Sequence, residues 1–245
     1  MLDVIKNNKG ENIDYTFHYG SLKNRYLLIV GHGLTGDKDH SLVTEISENV
    51  AKEGMSVLRF SFSGNGESEG RFEESTISKG IDDLQAILNT ATEQGWRSIY
   101  AGYDIGSTIG VLTATIDSRI QLLISLAGIV NTHTFSQSEF GGFSANTGYM
   151  WNDPKFPLSL EFVNDMQQIE SLLPRASSVD IPWLLVHGKI DNIVPVTDVH
   201  SLLFNFENSR ELIEIDDADH QFSGDAINTL SESVINWLGR KLQIN

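Results

Sequence analysis

Ala101-Gly102-Tyr103-Asp104-Ile105-Gly106 is the stretch on which the reading of this chain turns. It follows a run of strand character, Trp96-Arg97-Ser98-Ile99-Tyr100-Ala101, and precedes a segment of helical character from Ser107 to Ile116. A strand that passes into a helix through one tight turn needs small residues on both sides of the apex. Side chains there would collide with the strand or helix packed against them. Gly102 and Gly106 meet that need, and the apex they flank is a carboxylate, Asp104.

Outward from this turn, apolar runs of strand length alternate with segments of helical period. Strands are expected at 26–30, 56–60, 97–102, 120–127, 183–187 and 211–215. Helices are expected at 41–52, 76–92, 196–204 and 226–242. Helix 76–92 carries Ile77, Ile81, Leu84 and Leu88 at every third or fourth position. Near-continuous apolar strands between amphipathic helices imply an α/β class with a mostly parallel sheet covered on both faces. Residues 12–19 alternate instead, as an antiparallel edge hairpin does. The rhythm breaks between 129 and 179, a stretch too long for an ordinary connection. It holds Gly141-Gly142, Trp151 and a helical stretch around 160–173, and it reads as a small lid. A single domain is expected over 1–245, with a core of 1–128 and 180–245 and the lid insertion at about 129–179.

The chain has 245 residues, 40% of them apolar and 9% aromatic, which is ordinary for a globular protein. Its 33 acidic residues outnumber 17 basic ones, for a formal charge of −16. That balance argues against binding nucleic acid or an anionic membrane surface, both of which call for a basic patch. There is no cysteine, so disulfides, thiolate catalysis and zinc–thiolate sites are excluded. Residues 1–8 lack a basic start followed by a long apolar run, and no stretch approaches the length of a membrane span. The expectation is a cytoplasmic protein without membrane insertion, with a small-molecule substrate as partner, no nucleic acid, and a homodimer as the assembly left open. No cofactor or metal is expected.

Four further segments fall at strand ends. His32-Gly33-Leu34-Thr35-Gly36 follows the strand ending at Val30-Gly31. Phe60 to Gly70 is a polar, glycine-rich loop, without the lysine and spacing of a phosphate-binding loop. Asp191 lies in His187-Gly188-Lys189-Ile190-Asp191-Asn192-Ile193-Val194-Pro195, just past a strand. His220 lies in Asp217-Ala218-Asp219-His220-Gln221-Phe222, past the last one. The order is apex residue, acid, histidine. With these segments the chain resembles the α/β-hydrolase superfamily over essentially its whole length. It is most similar to the compact feruloyl/cinnamoyl-esterase and monoacylglycerol-lipase-like group. The motifs that match are 32–36, Ser63-Gly64-Asn65-Gly66-Glu67-Ser68, Thr76-Ile77-Ser78 and the Asp191 and His220 segments.

That resemblance implies the α/β-hydrolase fold with an eight-stranded sheet and a nucleophile elbow at Asp104. It also implies a triad of Asp104, His220 and Asp191, and an oxyanion hole from the backbone N–H groups of Leu34 and Ile105. The expected activity is hydrolysis of a small or medium acyl or aryl ester. The departure is Asp104 itself, where the esterase group carries serine. Ser61 and Asn65 also stand where Asp and His are more typical. Aspartate at the elbow resembles haloalkane dehalogenases and epoxide hydrolases, yet Thr35 and Ile105 depart from their usual proline and tryptophan. Ser107 offers no substitute nucleophile, since it lies inside the helix without flanking glycines.

A carboxylate is already ionised near neutral pH and needs no base to activate it. His220 would then serve the second step, deprotonating water after a covalent ester has formed. The alternatives are an Asp-nucleophile hydrolase of alkyl halides or epoxides, and a catalytically impaired hydrolase-fold binding protein whose carboxylate blocks its own oxyanion hole. The plain reading of Asp104 is a helix cap, and that of Asp191 a turn residue, with Asp217 or Asp219 able to stand in as the acid. His32 and His187 read as structural. His18, His40, His133 and His200 read as surface residues, although His133 lies in the lid. Phe140, Phe143, Tyr149, Trp151 and Phe156 read mainly as lid core.

Overall fold

The computed structural model describes residues 3–21, 24–203 and 209–243. Among the described residues, nine strands form two sheets. Strands β1 (Ile5–Lys6) and β2 (Asn12–Ile13) pair only with each other, antiparallel. The main sheet contains β3 (Tyr15–His18), β4 (Tyr26–Gly31), β5 (Ser56–Phe60), β6 (Arg97–Tyr103), β7 (Ile120–Leu126), β8 (Trp183–Gly188) and β9 (Arg210–Ile215). Its order is β3-β5-β4-β6-β7-β8-β9, with every neighbouring pair parallel except β3 against β5.

The main sheet therefore has seven strands among the described residues, where eight were expected. The difference lies in residues 12–19, which do not form one hairpin. Ser61 donates its N–H to the Asp14 carbonyl at 2.9 Å, Asp14 N–H goes to Ser68 Oγ at 2.8 Å, and Glu69 donates to the Asn12 carbonyl at 2.9 Å. The loop after β5 thus takes the backbone groups around Asp14. The segment divides there, with β2 turning back to β1 and β3 closing the sheet edge.

Both faces are covered. On one, helices α1 (Ser41–Lys52) and α8 (Ala226–Leu242) bury Leu42, Ile46, Leu230, Val234 and Trp237 against Leu28, Val30, Ile99 and Ala101. On the other, α2 (Ile77–Glu93) and α3 (Ile105–Ala114) bury Ile77, Leu84, Leu88 and Ile109 against Leu27, Ile29 and Tyr100. Alternate residues of β4 and β6 go to opposite layers, as the two-residue period of a strand demands. Each fully buried leucine or isoleucine contributes roughly 1.5–3 kcal/mol relative to exposure.

The crossover between β7 and β8 carries α4 (Thr132–Phe140), α5 (Leu160–Ile169) and α6 (Leu173–Ala176). The helical stretch expected around 160–173 is broken, because Glu170 takes a φ of 63° and stops α5. Helix α4 was not foreseen. Its buried residues Thr132, Phe135, Ser136 and Phe140 keep helical spacing, but two of them are polar, which hides the apolar period. Helix α7 spans Val196–Leu203, and Phe204, its expected end, lies outside the described residues. Among the described residues no helix is long and apolar enough to cross a membrane.

Candidate active site

Asp104 sits between β6 and α3 with φ 54° and ψ −119°. A non-glycine residue there stores roughly 1–3 kcal/mol of strain. The surroundings impose it. A Cβ on Gly102 would lie 2.3 Å from the Gly106 carbonyl oxygen, and one on Gly106 would lie 2.5 Å from that of His32. Tyr100 donates its hydroxyl to the Gly106 carbonyl at 2.9 Å, and Asp104 donates its N–H to the Leu126 carbonyl at 2.9 Å. The turn is consumed in one residue, so α3 begins at Ile105, earlier than the sequence suggested. Its N-terminal dipole meets the carboxylate.

Leu34 donates its N–H to Asp104 Oδ2 at 2.7 Å, and the N–H of Ile105 favours the charged form of the carboxyl. The Leu34 N–H, expected to help hold an oxyanion, therefore holds the aspartate. His32 pins the loop that supplies Leu34. Its Nδ1 lies 2.7 Å from the Gly33 carbonyl and its Nε2 accepts from Phe62 N–H at 3.0 Å, a set that fits only the Nδ1–H tautomer. Burial pushes the His32 pKa down to about 4, so the ring is neutral.

His220 lies on the loop after β9 and Asp191 on the loop after β8. The two loops are clamped together: Ile190 donates to the Ala218 carbonyl at 3.1 Å, and a Cβ on Gly188 would meet that carbonyl oxygen at 2.2 Å. His220 Nδ1 is 2.8 Å from Asp191 Oδ2, and its Nε2 is 3.7 Å from Asp104 Oδ1. Asp191 Oδ1 accepts from Ile193 and Val194 N–H at 2.9 and 2.8 Å. Burial alone would raise the Asp191 pKa. Hydrogen bonds from His187, His220 and Val194 and the charge of His220 outweigh it and hold the group below its ordinary range. Burial raises Asp104, against the opposing pull of His220 and the two N–H donors. Burial would lower His220, but the Asp191 hydrogen bond and the charges of Asp104, Asp191 and Asp219 raise it. With both partners raised, Asp104 and His220 compete for one proton.

Asp104 lines a cavity of about 380 Å³, and its Oδ1 is buried without a hydrogen-bond partner. Gly33 to Gly36, His40, Tyr103, Phe135, Trp151, Ile193, His220 and Gln221 complete the wall. His40, expected on the surface, stacks on Tyr103 at 5.6 Å between ring centroids and faces the cavity. The reason is tertiary: it precedes α1, and the turn 33–36 folds it back over Tyr103. Trp151 packs on Phe140 at 5.3 Å while also lining the cavity. Phe135 escaped notice because α4 did. His133 is not in the wall, and His200 pairs with Glu214 at 2.9 Å. Among the described residues no group of three or more His, Asp or Glu is placed to hold a metal ion.

No family model matches the sequence. Among solved structures, the esterase Est1E from Butyrivibrio proteoclasticus bound to ferulic acid superposes with a TM-score of 0.83 at 20% identity, over 98% of this chain and 99% of that one. Mouse alpha/beta hydrolase domain-containing protein 10 gives 0.80 at 19% identity, over 98% and 99%. The chain has the α/β-hydrolase fold. Among curated sequences, human mitochondrial palmitoyl-protein thioesterase ABHD10 is 25% identical over 163 residues, which are 61% of this chain and 52% of that protein. The uncharacterized protein YfhR of Salmonella typhi is 24% identical over 199 residues, 77% of this chain and 63% of that one. The chain thus spans about half to two thirds of these relatives' length.

Proposed function

We propose that this chain is a hydrolase of carboxylic-ester-hydrolase lineage, acting on a small or medium acyl or aryl ester through Asp104, His220 and Asp191. The observation that carries the reading is the placement of Asp104 in a cavity wall with its Oδ1 3.7 Å from the Nε2 of a histidine whose Nδ1 is 2.8 Å from Asp191. The named esterase and thioesterase relatives support the lineage. The segment at 129–179, contributing Phe135 and Trp151 to the wall, acts as the lid of a single domain.

In this reading Oδ1 attacks the substrate carbon, and His220, protonated between two carboxylates, gives its proton to the leaving oxygen. The neutral imidazole then takes a proton from water as that water attacks Asp104 Cγ. Charge develops on Oδ2, which already accepts the Leu34 N–H. Collapse releases the bound group and restores the carboxylate. Attack at an acyl carbon passes through an anhydride, so a weakly basic aryl leaving group is favoured over an alkyl one.

One observation favours a second reading. Oδ2 occupies the Leu34 N–H that an ester carbonyl needs in the first step. An alkyl halide or epoxide has no carbonyl to place there, and a carboxylate suits attack at sp³ carbon.

The test is hydrolysis of p-nitrophenyl acetate by this chain and by Asp104→Ser and Asp104→Asn. The carboxylate mechanism expects both variants to fall by about 10²–10⁴-fold. An inert aspartate form beside a fast serine form sinks it and marks the site as a disabled serine-type esterase. If the wild type leaves the ester intact, release of halide from a haloalkane and of diol from an epoxide decides for or against the second reading.

A further inference from the structure

His187 stands directly behind the acid. It is fully buried, and its Nε2 lies 2.8 Å from the Val194 carbonyl oxygen and 3.3 Å from Asp191 Oδ2. Both neighbours are acceptors, so Nε2 carries the proton and the ring is the Nε2–H tautomer. Asp191 Oδ2 is also the oxygen that takes His220 Nδ1. One carboxylate oxygen thus lies within 3.3 Å of a nitrogen of each of two imidazoles. The other nitrogen, Nδ1, is buried with no protein partner. His187 lines an interior cavity with Ser107 and Ser125, with about 10 Å³ open to the centre of a water molecule. That is about the room one water needs.

We propose that His187 is a positioning residue: its Nε2–H takes a share of Asp191 Oδ2, weakens that oxygen's hold on the His220 proton, and is kept in this tautomer by a water bridging Nδ1 to Ser107 in the interior cavity. The physical need is plain. His220 feels the charges of Asp191, Asp104 and Asp219 at once, and His40, whose pKa burial lowers, and the buried Tyr103 also lie beside it. Three carboxylates would lock the imidazole in its charged form, which cannot take a proton from water. A second donor on Asp191 draws off part of that charge and leaves His220 able to cycle.

The role matters for catalysis only if His220 carries protons, as proposed above, but its test needs no turnover. The measurement is the His220 titration by NMR in protein with ¹⁵N-labelled histidine. In His187→Phe, which loses the donor, the His220 pKa is expected to rise by about half a unit or more; in His187→Gln, whose side-chain N–H can replace it, the value stays near that of the wild type. An unshifted His220 in folded His187→Phe overturns the proposal. Should the Phe variant not fold, the wild-type spectrum decides. A His187 proton on Nε2 with Nδ1 accepting a hydrogen bond supports the proposal, and a proton on Nδ1 overturns it. An absence of esterase, dehalogenase and epoxide-hydrolase activity would sink the functional reading and leave this result standing.

Discussion

At the scale of single residues, Asp104 carries conflicting demands. The residue is 5% exposed, sits at positive φ and has one carboxylate oxygen without a partner. Such a group destabilises the fold when ionised. Asparagine keeps the shape of the aspartate and an oxygen for the Leu34 N–H. Asp104→Asn is therefore expected to gain about 1 kcal/mol, roughly 2–4 °C in Tm for a chain of this size. The sign with pH follows from the raised pKa. Protonated Asp104 is innocuous below its ordinary value of 3.8, and stability is lost as pH climbs from there through the raised value. The advantage of the variant should grow over that window and then level off. An advantage that is flat from pH 3 to 8 in thermal melts would show that the charge is not its source. The motif around this residue was plain in the sequence. What its second oxygen touches was not, because Leu34 lies 70 positions away.

At the scale of elements, the elbow works because two backbones touch. Gly106 of α3 lies against the carbonyls of Gly31 and His32 at the end of β4. Gly106→Ala places a methyl group 2.5 Å from backbone oxygen, which no side-chain rotation relieves. The expected cost is about 1–3 kcal/mol or more. The same push moves the turn that supplies the Leu34 N–H, so any activity should fall further than stability alone accounts for. Chemical denaturation and kinetics on one preparation separate the two, and an unchanged midpoint would refute the packing argument. Helix α2 offers a gentler case. Thr76 caps it by accepting from Lys79 N–H at 3.1 Å. Thr76→Ala should lose about 1 kcal/mol with the site untouched. The glycine pair was readable locally, while Thr76, expected as the first residue of helix 76–92, caps the helix from just outside it. Helix α4 was not readable locally, since its buried face carries Thr132 and Ser136, whose partners come from packing: Thr132 Oγ1 donates to the Met166 carbonyl at 2.8 Å.

At the scale of the whole molecule, a charge of −16 makes the folded surface repel itself. Salt at about 0.15 M screens exposed charges beyond roughly 8 Å. Raising ionic strength from about 0.01 M should therefore raise Tm by roughly 2–4 °C, the equivalent of about 1 kcal/mol. A Tm that falls would mean that surface ion pairs such as Lys189–Asp216 outweigh the repulsion. The buried Asp191–His220 pair should be nearly indifferent to salt, because it is closed to solvent on the Asp191 side.

The sequence by itself determined what depends on near neighbours along the chain. Apolar periodicity placed the parallel strands and most helices, since a strand buried on both faces and a half-buried helix each demand their own spacing. Gly102 and Gly106 marked the elbow, and strand ends picked out Asp104, Asp191 and His220. Only the tertiary structure decided what depends on distant segments meeting. The loop after β5 split residues 12–19 into two sheets, Leu34 reached Asp104 Oδ2, His40 folded over Tyr103, and His187 came to share an oxygen with His220. These contacts join residues far apart in sequence or on different loops. Their geometry follows from how the layers dock, and no local pattern of residue types encodes that.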